Sequence, residues 1–358
     1  MRIAYVCHYD AFRSDGVILK IGTQVAEWRN LGHRVEIFCL SAPAAGRRPA
    51  LAGRSFEFTG DRQRAGATLK LGRAVRAYAP DCIYMRSDLF LPPLWRMLRS
   101  CTSVIEINAD FTELRLPERR RWSLWYARLS NALTMRNASG LVFVGHELSR
   151  APIYEARGKI RVVIGNAGDA RRIAHGPAPC NERARVVLLA GVAHHWQGMD
   201  KFMWLAEQMS EADFDLVGPS DSDLPVPAPA NVTVHGMLTT NEYETILANS
   251  DVGVGTLALH RVDRSENSPL KVREYLLAGL PVIIGYDDTD FLGEDPWYIL
   301  KIPNTEANVR DHLEEIRSFV ERSRGRRAPR EELVERLGAA RKEAERVSFF
   351  ERLLAKRS

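Results

Sequence analysis

The chain has 358 residues, of which 45% are hydrophobic and 27% charged. This composition excludes disordered and fibrous proteins, and the length predicts two domains. The net charge is +5, with the excess in residues 317–358, but no RNA- or DNA-binding motif accompanies it, so we expect no nucleic-acid partner.

No run of about 18 apolar residues occurs, which argues against a membrane-spanning helix. The five cysteines have no CxxC spacing. This argues against a disulfide framework and structural zinc, and we expect a cytoplasmic protein.

Short apolar runs alternate with amphipathic stretches in the first part of the chain. Such repeated β-α-β units predict a parallel sheet covered by helices on both faces. Strands are predicted at 3–7, 35–40, 82–85, 103–107, 141–144 and 162–164, and helices at 17–31, 67–78, 89–99 and 113–137.

The stretch 165–183 is rich in Gly, Pro and Ala and predicts an interdomain linker. The alternation then restarts, so we expect a second α/β domain and a cleft in which ligands bind at the carboxyl ends of strands. Its strands are predicted at 186–190, 214–217, 232–235, 252–256 and 282–284, and its helices at 201–208, 241–248 and 269–278. Residues 306–358 are predicted to be helical, with a loop near 324–329.

The helix predicted at 269–278 has clear boundaries. Ser268 is a suitable N-cap, Pro269 suits the first helical position, and Gly279 suits the position after the last turn. The N–H groups and the partial positive charge at the start of such a helix suit a phosphate. Lys271, in the first turn, adds a full positive charge.

Two carboxylates flank this helix start, Glu266 before it and Glu274 within it. A carboxylate accepts hydrogen bonds from paired hydroxyls, so one could hold a sugar and the other a ribose. The alternative is that Glu274 pairs with Arg273 or another surface base.

These residues resemble those of the retaining GT-B glycosyltransferases of the family 4 type, also called glycosyl transferases group 1. Glu266 and Glu274 match the family's E-x7-E pair, and SPLKVREYLLAGLPVI resembles its donor-binding helix and following strand. MRIAYVCHYD, LGHRVEIF, VVIGNAGD, LLAGVAHHWQGMDKF and VSFFERLL resemble other family segments in the same order.

The resemblance implies an α/β GT-B fold, with two Rossmann-like parallel-sheet domains facing each other across a cleft. The N-terminal, acceptor-binding domain is expected at residues 1–168. The C-terminal, donor-binding domain is expected at residues 169–342. A final helix, at about 343–358, is expected to cross back to the N-terminal domain.

The resemblance also implies roles for individual residues. Glu274 would hold the ribose hydroxyls of the donor, and Glu266 would lie by the donor sugar near the reacting carbon. The N–H groups of Leu270 and Lys271 would face the diphosphate, with Ser268 beside them. A further expected contact is Gly16, which would let the backbone approach the donor phosphate, unless it forms a simple turn. His8, at the end of the first strand, would face the cleft, unless it is a packed histidine.

The chain departs from the family pattern at two places. Where the family often has a histidine, this chain has VIEINAD, which makes Asn108 and Asp110 the catalytic candidates there, although an asparagine cannot act as a base. The family's Arg/Lys pair that neutralises the leaving diphosphate is missing, because Val192 and Gln197 stand in its place. The substitute cations would be Lys271, Arg264 or Lys201.

We therefore expect retaining transfer of a sugar from a nucleoside-diphosphate sugar, with UDP or GDP as the nucleotide, in cell-surface polysaccharide or glycolipid assembly. No metal or cofactor is expected, and the D-x-D pattern at Asp213 and Asp215 is interpreted as structural. Two alternatives remain: a sugar-nucleotide 2-epimerase on the same fold, and a catalytically silent sugar-nucleotide-binding partner, which the missing cations favour.

The acceptor is expected to be a sugar or a lipid-linked sugar. Residues 113–136 combine clustered arginines with Trp122, Trp125 and Tyr126. This combination suits a membrane interface and predicts peripheral contact at the inner face of a membrane. The alternative is a packed helix with an exposed arginine face.

Overall fold

A computed structural model describes residues 1–10, 16–44, 46, 50–87, 92–109, 121–155, 158–191 and 194–356. The chain forms two compact units, Met1–Gly165 with Ala339–Ser358, and Asn166–Gly338. The first division comes slightly earlier than position 168 because Gly168 is tied to the second unit. Its N–H donates to the carbonyl of Leu337 at 3.0 Å.

The first unit contains a seven-stranded sheet in which every pairing is parallel. Its strands are β1 (Arg2–His8), β2 (Arg34–Ser41), β3 (Arg54–Glu57), β4 (Cys82–Arg86), β5 (Thr102–Ile107), β6 (Gly140–Phe143) and β7 (Ile160–Val163). The helices between them are α1 (Gly16–Asn30), α2 (Asp61–Tyr78), α3 (Pro92–Leu98), α4 (Arg121–Asn137), α5 (His146–Arg150) and α6 (Pro152–Glu155). The strand order is β3-β2-β1-β4-β5-β6-β7.

Both faces of this sheet are buried, as expected for a parallel sheet. Because side chains alternate along a strand, Tyr5 and Cys7 of β1 pack on one face and Ala4 and Val6 on the other. Continuous apolar runs such as IAYVC therefore form strands rather than helices.

The second unit contains a six-stranded parallel sheet in the order β10-β9-β8-β11-β13-β15. Its strands are β8 (Arg185–Leu189), β9 (Asp213–Val217), β10 (Val232–Gly236), β11 (Val252–Val254), β13 (Val282–Ile284) and β15 (Ile299–Lys301), and a separate pair is formed by β12 (Glu266–Asn267) and β14 (Asp287–Asp288). Its helices are α7 (Met199–Gln208), α8 (Thr240–Asn249), α9 (Leu270–Leu277), α10 (Asn308–Asp311), α11 (Leu313–Ser323) and α12 (Arg330–Leu337).

The last helix, α13 (Ala339–Ala355), belongs to the first unit. The ring of Phe350 contacts Trp28 of α1 edge-on, and the indole N–H of Trp28 donates to Glu343 Oε2 at 2.9 Å. The final helix thus returns to the N-terminal unit, as expected. It begins at Ala339 rather than at about 343.

Four strands among the described residues were not expected from the sequence. The edge strand β3 is largely exposed, β15 has only three residues, and β12 and β14 have two residues each. The long helix expected at 113–137 is described only from Arg121 onward. No helix among the described residues is long and apolar enough to span a bilayer.

Candidate functional site

Helix α9 starts immediately after Pro269, which is extended. The expectation that Ser268 caps this helix is wrong, because its hydroxyl is engaged elsewhere. Ser268 Oγ accepts the N–H of Asn166 at 2.8 Å and a guanidinium N–H of Arg273 at 2.9 Å. No described side chain caps α9, so the N–H groups of its first turn, beginning at Leu270, can bind a ligand.

The orientation of α9 is fixed by a buried ion cluster around Arg273. This guanidinium is fully buried and pairs with the carboxylates of Asp288 and Asp290. Arg273 therefore does not pair with Glu274, although that pairing was one of the alternatives considered for Glu274. At the other end of the helix, Gly279 has φ +87°, a conformation that favours glycine, and this confirms the predicted helix stop.

Lys271 lies in the first turn of α9. Its ammonium group donates to Gln197 Oε1 at 3.2 Å, and no described carboxylate lies within ion-pair distance. Burial lowers the pKa of Lys271 to about 7. A lysine in this situation gains stabilisation when an anion binds beside it, because the anion replaces the missing counter-charge.

The two carboxylate oxygens of Glu274 differ in their hydrogen bonds. Oε1 accepts hydrogen bonds from Arg172 Nη2 at 2.7 Å and from the Tyr243 hydroxyl at 3.2 Å. Oε2 receives no hydrogen bond from a described residue, while the side chain is 16% exposed. Burial raises the pKa of Glu274, and the charge of Arg172 opposes this effect. Oε2 can therefore accept hydrogen bonds from a ligand.

Sequence reasoning missed the two groups that hold Glu274. Arg172 lies in the stretch that was interpreted as a linker, and it also pairs with Glu244. Tyr243 lies on α8 and donates to Glu274 from there. No local pattern marks either residue, because they meet Glu274 only through the fold. Glu274 thus forms an ion pair, as the alternative interpretation supposed, but its partner is Arg172 rather than Arg273.

Glu266 lies in β12, rather than in a loop. Its side chain is buried, and its Oε1 accepts the hydroxyl of Thr289 at 2.8 Å. The pairing of β12 with β14 places Glu266 opposite Asp287. This carboxylate comes from the chain segment that leads directly into α9, as the spacing of the glutamate pair requires.

The two other expected cations differ in their surroundings. Lys201 of α7 uses all three ammonium N–H groups within the second unit. They donate to the carbonyls of Leu257 (3.2 Å) and Thr305 (2.8 Å) and to Asn308 Oδ1 (2.9 Å). Lys201 thus ties loops together and has no N–H left for a phosphate. Arg264 is half-buried, and its carbonyl accepts the amide of Asn304.

The remaining candidates belong to the first unit, which is described by itself. Gly16 is the first residue of α1, rather than part of a loop. The ring of His8, at the end of β1, lies against Phe58, and its Nδ1 is 3.2 Å from Arg64 Nη2.

Asn108 follows β5, and both ends of its amide are engaged. Its Oδ1 accepts a hydrogen bond from Lys20 at 3.0 Å, and its Nδ2 donates to Glu106 at 3.2 Å. Asp110 lies outside the described residues.

No family model matches the sequence, and no curated protein matches it. Among solved structures, the chain is similar to sucrose-phosphate synthase from Thermosynechococcus elongatus, with a TM-score of 0.74, 13% identity and 99% of each chain covered. It is similar to Anabaena Alr3699/HepE in complex with UDP-glucose, with a TM-score of 0.62, 14% identity, and 97% of this chain and 99% of that chain covered. A third similar structure is UDP-GlcNAc 2-epimerase from Neisseria meningitidis bound to UDP-GlcNAc, with a TM-score of 0.54, 11% identity, and 99% and 100% covered.

The chain has the GT-B fold. Its two parallel-sheet α/β units match these structures over nearly their whole length.

The D-x-D carboxylates of this GT-B chain are engaged in ion pairs. Asp213 pairs with Arg183 at 2.9 Å. Asp215 is buried and lies 3.1 Å from Arg185 and 2.7 Å from the ring of His235. Within the described ranges, no group of three or more His, Cys, Asp or Glu could hold a metal ion.

Proposed function

We propose that this protein is a retaining glycosyltransferase of the family 4 type. It would move a sugar from a nucleoside-diphosphate sugar, with UDP or GDP as the nucleotide, to a sugar or lipid-linked sugar acceptor. The GT-B fold supports this class. The observation that carries the proposal is the α9 start, where an uncapped helix end and Lys271 lie one turn from Glu274, a half-buried glutamate with one oxygen that accepts no hydrogen bond from a described residue.

The nucleotide would bind through Glu274 and the start of α9. Oε2 of Glu274 accepts the hydrogen bonds of the ribose hydroxyls, while Arg172 and Tyr243 keep Oε1 in place. The diphosphate accepts the N–H groups of Leu270 and Lys271, beside the partial positive charge of the helix.

Lys271 would supply the charge that this chain lacks at the family's Arg/Lys positions. Lys201 cannot do so, because the protein uses all its N–H groups. Arg261, nearby in sequence, is engaged with Asp200 and Glu306. The negative charge that develops on the β-phosphate as the sugar leaves is then stabilised by one lysine and one helix end. The proposed reaction uses no metal ion.

The proposed chemistry takes place on one face of the sugar. The bond between the anomeric carbon and the β-phosphate oxygen breaks, and the acceptor hydroxyl oxygen forms the new bond on the same face. The leaving phosphate oxygen takes the proton of that hydroxyl, so no protein base is required. Glu266 stabilises the positive charge of the sugar and positions it, without forming a covalent bond.

The acceptor would belong to cell-surface polysaccharide or glycolipid assembly at the inner face of a membrane. Support comes from helix α4, where Trp125 is 66% and Leu129 39% exposed and Arg128 and Arg136 lie on the same helical face. Large apolar side chains flanked by arginines suit an anionic membrane surface.

Nucleotide-sugar turnover distinguishes this proposal from its alternatives. Wild-type protein is incubated with UDP- and GDP-sugars and a lipid-linked sugar mixture, and the products are followed by NMR. A retaining transferase releases the nucleoside diphosphate and forms a glycoside with the anomeric configuration of the donor. Inverted configuration contradicts the retaining proposal.

A sugar-nucleotide 2-epimerase instead converts the sugar at C2, and the similarity to UDP-GlcNAc 2-epimerase is the reason to test for it. Binding of nucleotide without any conversion, across donors and acceptors, supports the catalytically silent partner instead.

A further inference from the structure

The first unit contains a buried cluster of charges centred on Glu106 of β5. This carboxylate is fully buried and faces three cations. The nitrogen–oxygen distances are 2.8 Å to Lys20, 3.5 Å to Arg86 and 3.7 Å to Arg346. Burial alone would raise the pKa of Glu106, but the three cations outweigh it and hold the pKa well below its usual range.

The charges of this cluster do not balance. Arg346 also pairs with Glu343, which in turn accepts the indole N–H of Trp28. No other described carboxylate lies within ion-pair distance of the three cations, so among the described residues three positive charges face two negative ones. Excess charge in a buried cluster is unfavourable unless a ligand supplies the missing counter-charge.

Of the three cations, Arg86 is the one that a ligand can reach. Its side chain is 18% exposed, whereas those of Lys20 and Arg346 are 5% and 0% exposed. Its single hydrogen bond to a described residue is the 3.5 Å contact with Glu106, so no described residue engages the rest of the guanidinium fork. Such a fork matches the oxygens of a phosphate or carboxylate.

The position of Arg86 in the sheet is the position at which α/β folds bind ligands. It is the last residue of β4, the central strand, at the carboxyl edge. The strand order reverses between β1 and β4, and ligands bind outside the carboxyl ends of the strands at such a switch point. Asn108 follows the neighbouring strand β5 and holds Lys20 beside this edge.

We propose that Arg86, supported by Lys20, binds an anionic group of the acceptor, a phosphate or a carboxylate. This inference rests on the proposed function, in which the donor diphosphate is bound at α9 of the other unit. It narrows the acceptor to the class of phosphorylated or acidic sugars. Asn108 then becomes a positioning residue that orients Lys20, and not a catalytic residue.

The test measures binding of glucose 6-phosphate, glucuronate and uncharged glucose by ligand-observed NMR. It uses the full chain with a saturating nucleoside diphosphate, so that any phosphate site at α9 is filled. We expect glucose 6-phosphate or glucuronate to bind and glucose not to bind. Arg86→Gln should weaken binding at least about tenfold, and Arg86→Lys, which keeps the charge but loses the fork, should weaken it less.

The matched control is Arg76→Gln, which removes an exposed arginine of α2 and should leave binding unchanged. Thermal melting establishes that the Arg86 variants fold. If Arg86→Gln unfolds, Arg86→Lys carries the comparison.

Three results would overturn the proposal. The first is that neither charged sugar binds, although the nucleotide does. The second is binding that Arg86→Gln leaves unchanged. The third is binding that the nucleotide abolishes, which would assign the anion to the donor site. Failure of the proposed donor site looks different, because then no nucleoside diphosphate binds at all, and failure of the proposed transfer reaction shows in the turnover assay, where no glycoside forms.

Discussion

Lys271 donates a hydrogen bond to Gln197, and burial lowers its pKa to about 7. A bound diphosphate should raise this pKa, so the protonated lysine binds better than the neutral one. Affinity is then fully present below pH 7 and falls as pH rises, by up to about tenfold per unit.

We expect calorimetric titrations of the nucleoside diphosphate between pH 7 and 9 to show this fall. The terminal phosphate is already fully ionised over most of that range, since its second pKa is about 6. Lys271→Arg, which stays charged, should flatten the profile. A flat profile in the wild-type protein would show that Lys271 does not contact the phosphate.

Arg172 positions the nucleotide-binding carboxylate. Arg172→Met removes the ion pair at Glu274 Oε1, so burial raises the pKa of Glu274 further and the carboxylate loses its fixed orientation. We expect nucleotide affinity to fall about tenfold, the cost of one charged hydrogen bond. The control is Arg171→Met, because Arg171 lies one residue earlier, is exposed, and pairs with Asp169. Equal losses in the two variants would contradict the positioning role.

For single residues, the sequence predicts those members of the candidate site that are close together in the chain. Glu266, Lys271 and Glu274 fall within one short segment whose spacing and helix signals are local. Arg172 and Tyr243 come from other elements, so only the fold reveals them. The predicted Ser268 cap fails because Arg273, five residues later, competes for the same hydroxyl.

At the scale of elements, α4 exposes two large apolar side chains, Trp125 and Leu129. We expect the double variant Trp125→Ser, Leu129→Ser to bind vesicles containing anionic phosphatidylglycerol at least about tenfold more weakly than the wild type in sedimentation assays. Added salt should weaken wild-type binding, because arginines contribute to it.

The control removes two other exposed leucines of the first unit, with Leu31→Ser and Leu69→Ser, and should bind like the wild type. If the wild type does not bind these vesicles, or if both double variants lose binding equally, α4 is not a membrane-contacting element.

Elements with a clear pattern of hydrophobic residues can be predicted from the sequence. Short or exposed elements without such a pattern cannot. Strands such as β1 and β8 contain continuous apolar runs, because a parallel sheet is buried on both faces. The edge strand β3 has the sequence RSFE and is largely exposed, so hydrophobicity does not mark it. Hydrophobicity does not mark β12 either, because its two residues are polar and include the buried Glu266.

At the scale of the whole molecule, α13 completes the first unit although it is last in the chain. Phe350 is fully buried against Trp28 and Tyr84. Phe350→Ala should destabilise this unit by about 3–5 kcal/mol, the usual cost of removing a buried aromatic ring. Hydrogen exchange should show lost protection in β1 and β4, with β8 and β9 unchanged.

The matched control is Phe319→Ala, which removes a fully buried ring of α11 in the second unit. In the Phe319→Ala variant, hydrogen exchange should show lost protection in β8 and β9, with β1 and β4 unchanged. Equal losses of protection in both units, from either variant, would show that the two units do not unfold separately.

The two-unit architecture follows from the alternation of strands and helices, but the division of the chain does not. The Gly- and Pro-rich composition marks the linker region, but the second unit begins at Asn166 because of contacts such as the hydrogen bond from Gly168 to Leu337, which the sequence does not show. The return of α13 was expected only through the family resemblance, since no local pattern indicates which unit an amphipathic helix joins.

The most direct test of the proposed donor site is a calorimetric titration of UDP, GDP, ADP and dTDP into the wild type, Glu274→Gln and the surface control Glu207→Gln. We predict that UDP or GDP binds the wild type and the control equally. Glu274→Gln should weaken that binding by ~1–3 kcal/mol, because a carboxylate no longer accepts the ribose hydroxyls. Binding that is equal in all three proteins, or absent from the wild type, would contradict a nucleotide site at Glu274.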